Sequence, residues 1–156
     1  MLDDLPTGSL RNLLPATRRP GLEFVRGSVM DERAVDRAVA GCDLLYHLAA
    51  AVGVRLVFEQ PARTIETKVT GTRHLLDACR RHRRKVLVAS TSEVYGKDVH
   101  NGTGRFREDD DITIGPSLRW CYATSEALDE FLARSYAREA GLPVVLARFF
   151  NTVGPR

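Results

Sequence analysis

Short apolar runs alternate along this chain with longer segments of helical period. Leu22 to Arg26, Cys42 to Leu48, Lys85 to Ser90 and Pro143 to Phe149 are rich in Val, Leu and Phe and read as buried strands. Asp31 stands where it can cap a helix over Glu32 to Ala40, with Val35 and Val39 on the inner face. Pro61 can open a longer helix reaching about His82, because proline is tolerated in a first turn. Its apolar stripe runs through Ile65, Val69, Thr72, Leu76 and Cys79. A third helix is predicted from Tyr122 to Glu139, with Leu128, Phe131, Leu132 and Tyr136 inward and Gly141 as its stop. Strands alternating with helices predict an α/β fold built on a parallel sheet.

Between the last two strands, Lys97 to Leu118 is polar and without period, and it reads as a long functional loop. The triplet Asp109, Asp110, Asp111 inside it is expected to be solvated. At the start, Leu2 to Ser9 looks like a strand end passing into a turn, with Ser9 free to cap a short helix.

Composition narrows the function classes. At 44% hydrophobic and 28% charged the chain is of ordinary globular type, and its 156 residues make one domain the natural expectation. A net charge of +3 does not imply nucleic acid, since basic and acidic residues are interspersed. The dense run from Arg80 to Lys85 falls at a predicted helix end, where the helix dipole favours cations. Three cysteines without CxxC spacing suggest neither a zinc cage nor a full disulfide framework, so no metal site is expected and a reducing cytoplasm fits. No apolar stretch approaches the length needed to span a bilayer, and Met1 is followed by Leu-Asp-Asp rather than a basic and apolar leader.

Three blocks carry chemistry. Ala89-Ser90-Thr91-Ser92-Glu93-Val94-Tyr95-Gly96 sits at a strand end, Tyr122-Ala123-Thr124-Ser125-Glu126 opens a helix, and Arg148 to Arg156 contains Asn151-Thr152-Val153-Gly154-Pro155. Together with Tyr46-His47-Leu48-Ala49-Ala50 and Val69-Thr70-Gly71-Thr72, this set resembles the extended short-chain dehydrogenases acting on nucleotide sugars. These include 4-epimerases, 4,6-dehydratases and uronate decarboxylases. The resemblance spans essentially the whole chain. It implies that residues 1–156 form an incomplete NAD-binding Rossmann-like domain, a partial doubly wound parallel sheet. The first βα unit with its glycine-rich turn, and most of the C-terminal substrate region, would lie outside the chain. In the strand order 3-2-1-4-5-6 a missing first strand would split the sheet and expose two apolar edges.

The resemblance also implies roles. Such enzymes oxidise the sugar at C4, and Tyr122 would take the hydroxyl proton, with Thr91 hydrogen-bonded to the same oxygen. A tyrosine of ordinary pKa, about 10, needs a nearby cation to favour its phenolate. The 4-keto group then activates its neighbours. Glu93 lacks the preceding Asp of dehydratases, and Thr-Ser-Glu-Val-Tyr-Gly looks most like the decarboxylases, with 4-epimerase equally open. For NAD, the resemblance carries Asp3 and Asp4 to the adenosine ribose, Ser28 and Val29 to the adenine, and Leu48, Ala49 and Ala50 to the pyrophosphate. Ser90 and Phe149 would flank the nicotinamide, Lys68 would stand on the cofactor side, and Ser92 and Asn151 would meet the UDP-sugar. A homodimer through the two long helices is implied as well. His47, on a buried strand, reads as structural.

One position departs from the pattern. Four residues after Tyr122 the family has Lys and this chain has Glu126, which should raise the phenol's pKa and loses a general-base aid typically worth about 10²–10⁴-fold. Lys68 likewise stands where the family commonly has Asn, and Ser28 replaces a frequent Asp. A weakly active enzyme and a non-catalytic binding relative both fit these departures.

Overall fold

The computed structural model describes residues 1–6, 8–17, 20–50, 57, 59–97 and 105–153. Thr7, the stretch 98–104 and the terminal Gly154-Pro155-Arg156, parts of segments quoted above, lie outside the described residues.

Two parallel sheets form. β1 (Leu2–Asp3) pairs with β2 (Val25–Arg26), and β3 (Leu44–His47), β4 (Lys85–Thr91) and β5 (Val144–Phe149) make a second sheet in that order. The split expected from the strand order is present. The strand predicted over Leu22 to Arg26 shrinks to two exposed residues, because β2 is paired along one side only and packs little of its own surface. Cys42 to Leu48 likewise contracts to four residues.

Helices cover one face of the larger sheet. After the short helical turn α1 (Leu14–Thr17), entered through a 3-10 turn that Ser9 caps, come α2 (Glu32–Ala40), α3 (Pro61–His82) and α4 (Cys121–Ala140). Asp31 caps α2 by accepting the Ala34 N–H at 3.0 Å. Val35 and Val39 of α2, Leu75, Leu76 and Cys79 of α3, Val86 and Val88 of β4 and Ala133 of α4 form the core. Along β4 every second residue is buried, as the pleat requires. Its opposite face is open: Leu44, Tyr46 and Val145 are exposed.

The long helices turn differently from the apolar reading. Ile65, Leu128 and Phe131, expected inward, are exposed, while Thr64, Lys68, Ser125, Glu126, Asp129 and Glu130 are buried. The inner face of α3 and α4 is therefore largely polar toward the strand ends. Gly71 explains how tightly α3 seats: a Cβ there would lie 2.6 Å from Val29 Cγ2, so only glycine admits that side chain.

The basic run ends α3 as expected and is neutralised locally. Arg81 and His82 both meet Asp36 of α2, and Arg84 reaches Asp43 and the Ala40 carbonyl. In the long loop, Lys97 donates to the Thr113 carbonyl at 2.8 Å and Phe106 stacks on Tyr95 at 4.6 Å, so part of it is tied down. Asp109 and Asp110 are not simply solvated, because both bind Arg107.

Candidate active site

A parallel sheet presents all its carboxyl ends along one edge, where open α/β folds bind ligands. Thr91 is the last residue of β4, and its Oγ1 accepts the Glu93 N–H at 3.2 Å, turning the chain into a 3-10 turn over Ser92–Tyr95. Tyr122 lies in the first turn of α4, which packs on β4 and on that turn. These constraints place Tyr122 on the first turn of α4 near the end of β4, with Glu126 one helical turn further on. Burial raises the Tyr122 pKa first, and the Glu126 carboxylate raises it further by charge and by hydrogen bond. Glu93 adds to the rise and Thr91 opposes it. The direction expected from sequence holds, with desolvation the larger cause.

Behind Tyr122 the residues form a buried polar chain between α3, α4 and β3. Lys68 Nζ lies 2.8 Å from Glu126 Oε1 and 3.4 Å from Asp129 Oδ2. Thr72 donates to Asp129 Oδ2 at 2.7 Å, which uses its single proton. His47 Nε2, 2.9 Å from the same hydroxyl, must therefore be the donor there, and the imidazole is neutral. Burial, with Lys68 nearby, pushes His47 down to about 3. Burial pushes Asp129 up to about 6, against the opposing pull of Lys68 and Thr72.

A second buried cluster ties α4 to β5. Arg148 grips Glu130 through two 2.8 Å bonds, and Ser90 donates to Glu130 Oε1 at 2.7 Å. Burial would raise Glu130, but Arg148 and Ser90 outweigh it and hold its carboxyl low. Arg148 also lies over the Tyr95 ring at 4.6 Å.

The chain is similar in sequence and fold to known proteins. A sequence model described as GDP-mannose 4,6 dehydratase matches residues 3–156. The chain belongs to the NAD-dependent epimerase/dehydratase family. A UDP-N-acetyl-alpha-D-glucosaminuronate decarboxylase of Bacillus cytotoxicus is 44% identical over 83% of this chain and 39% of its own length. Among solved structures, Pal from Bacillus thuringiensis superposes with a TM-score of 0.87 at 31% identity, covering 99% of this chain and 48% of that one. The dTDP-glucose 4,6-dehydratase DesIV of Streptomyces venezuelae, solved with NAD bound, gives 0.83 at 32% identity, covering 94% and 44%. The chain thus spans less than half the length of these relatives.

Against the family's pattern, the structure brings Thr91, Tyr122, Glu126 and Lys68 into one cluster, with Glu93 exposed at its mouth. Lys68 is 3% exposed with its ammonium taken up by two carboxylates, so it faces Glu126 rather than an open cofactor groove. Ser90 is buried and its hydroxyl donates to Glu130. Val29 packs against the core and Gly71, and its carbonyl meets His74, so it is a packing residue as observed. Asp3 accepts the Leu5 N–H at 2.7 Å at the end of β1, and Asp4 is exposed beside it. Ser28 accepts the Met30 N–H. Leu48, Ala49, Phe149 and Asn151 stand exposed beyond or at strand ends, with Ala50 and Ser92 partly so.

Sequence reasoning missed Asp129, Thr72, Glu130 and Arg148 as members of the site. Glu126, Asp129 and Glu130 share one helical stripe at i, i+3 and i+4, a spacing that could have pointed to them.

Proposed function

We propose that the protein is an NAD-dependent enzyme that oxidises a UDP-sugar at C4, and that its substrate is a uronic acid which loses carbon dioxide from the 4-keto intermediate. The observation carrying this reading is the packing of the helix that carries Tyr122 against β4 and the turn after Thr91, at the carboxyl edge of the parallel sheet. Ser92 and Glu93 next to them lack the Asp-Glu pair of dehydratases, and the Bacillus cytotoxicus relative is named a uronate decarboxylase.

The residues at this edge fit NAD. Asp3 offers an acidic group at a strand end for ribose hydroxyls, and Ala49 and Ala50 leave room for close approach of a pyrophosphate to the backbone. Phe149, 48% exposed, offers an apolar flank. NAD, when bound, supplies the hydride acceptor. The chain's own part is to orient the sugar through Thr91, to handle the hydroxyl proton at Tyr122, and to present Glu93 at the mouth. We also propose a homodimer, supported by the exposed Leu128 and Phe131 on α4 and Ile65 on α3.

A second reading, a binding relative without catalysis, is favoured by one observation: Glu126 sits against Tyr122 where a cation would activate it. The full chain incubated with NAD and, separately, UDP-glucuronate, UDP-N-acetylglucosaminuronate and UDP-glucose separates the two. Carbon dioxide with a pentose product supports decarboxylation, and a C4 epimer from UDP-glucose replaces it with epimerisation. Bound but unchanged sugar nucleotide favours the second reading.

A further inference from the structure

The helix that carries Tyr122 is held at two separate points, and a series of contacts outside the buried polar cluster joins them. The series starts on α4, where Glu130 takes the fork of Arg148 from β5. The same guanidinium lies over the Tyr95 ring at 4.6 Å. Tyr95, 6% exposed at the end of the turn that follows Thr91, carries the Phe106 ring at 4.6 Å with 16° between the planes. From there the contacts return to α4. Lys97 donates its backbone N–H to the Thr113 carbonyl, and Gly96 approaches that carbonyl so closely that a Cβ would overlap it. Gly115 seats against Trp120, where a Cβ would stand 3.0 Å from the indole Nε1. Trp120 closes the 3-10 turn Leu118–Trp120, which runs directly into α4 with Tyr122 in its first turn.

We propose that Phe106 is a positioning residue for the reaction: by stacking on Tyr95 it sets the register between the segment leading into Tyr122 and the turn leading out of Thr91, a role that rests on the nucleotide-sugar reading above.

The geometry favours this over ordinary packing. Phe106 is 39% exposed and stands apart from the core of α2, α3, α4 and β4, so its ring adds little by burial. What it fixes is lateral placement, because offset-stacked rings have a preferred arrangement. Phe150, directly after β5, brings a third ring 6.1 Å from Tyr95 and 6.4 Å from Phe106. The stack therefore ties together three segments at the carboxyl edge of the sheet. Gly96 adds a second fastening: its φ of +70° favours glycine, and the missing side chain lets the Thr113 backbone lie against it. Thr91 and Tyr122 stand at opposite ends of this lacing, so a shift of the segment moves one relative to the other. A misplacement of about 1 Å can cost about 10²-fold in rate. Phe106 acts through Tyr122 and is not itself a contact of the sugar or of NAD.

The chain's single tryptophan, Trp120, reports on this segment without any turnover. The test compares the full chain with Phe106→Ala and Phe106→Tyr, assayed with NAD and the three UDP-sugars named above. Position 106 lies outside the core, so both variants should fold, which circular dichroism checks. In Phe106→Ala, Trp120 should become more easily quenched by acrylamide, and kcat should fall by about 10²-fold with KM little changed. Phe106→Tyr keeps the ring and should return both readouts to the parental values. Quenching unchanged in Phe106→Ala overturns the proposal whatever the turnover. So does a parental kcat in Phe106→Ala, or a Tyr variant as impaired as the Ala variant. A loss carried by KM alone would put Phe106 against the substrate instead and overturns it as well. If the parent turns over no sugar nucleotide, the enzyme reading has failed on its own, and the quenching decides whether Phe106 holds the segment that leads into Tyr122.

Discussion

Arg148 of β5 and Glu130 of α4 face each other as a planar fork, two parallel bonds of 2.8 Å with the side chains 9% and 3% exposed. A bidentate pair out of water has little freedom to rearrange, so it fixes how the helix carrying Tyr122 sits on the sheet.

Removing one partner strands the other. Glu130→Ala should lower stability by about 3–5 kcal/mol, because Arg148 would stay buried and unpaired. Ser90→Ala, which deletes one donor to the same carboxylate, should cost about 1 kcal/mol. Urea unfolding of both variants measures the difference, and equal losses would mean that the ion pair contributes nothing beyond a neutral hydrogen bond.

Gly71→Ala offers a packing test. The methyl gains about 1 kcal/mol of helix propensity but meets Val29 Cγ2 at 2.6 Å, and overpacking costs about 1–3 kcal/mol. A net loss is expected in the parent and a smaller one in a Val29→Ala background, where the Cβ of residue 29 still lies 3.0 Å away. Thermal melts of the four proteins provide the cycle.

Asp129 sets a pH dependence whose sign is specific. Its pKa is raised to about 6 in the fold from an ordinary 3.8, chiefly by burial, so the folded state binds its proton more tightly than the unfolded one. Its contribution is complete below about pH 4 and is lost as pH rises through about 6, a swing on the order of 3 kcal/mol. Asp129→Asn should flatten stability over that interval. Denaturation between pH 4 and 7 tests it, and a parent whose slope matches the Asn variant would refute the assignment.

Leu128→Glu and Phe131→Glu alter exposed positions and should leave the fold intact. If α3 and α4 build the proposed dimer, each should shift the full chain toward monomer in sedimentation velocity. A parent that sediments as a monomer removes the dimer.

The α/β alternation, the Asp31 cap and the Gly141 stop were legible in sequence, because each depends on local pattern. The facing of α4 was not. Hydrophobic periodicity assumes that apolar residues turn inward, yet here Glu126, Asp129 and Glu130 do so and Leu128 and Phe131 do not. Those carboxylates are tolerable inside only because Lys68, Thr72, Ser90 and Arg148 meet them, partners 18 to 58 positions away that no local window reveals. The shortness of β2 has a similar origin, since a strand paired on one side gains little from extending.

The contact between Lys68 and Glu126 also constrains how such a chain can arise. Starting from an amide at 68 and a lysine at 126, acquiring Lys68 first crowds two ammonium groups into a dry space, and acquiring Glu126 first strands an anion there. Each single step passes through a less stable protein, so the two substitutions are epistatic. Lineages carrying one are expected to carry the other, and a graft of either alone into a relative should be poorly tolerated.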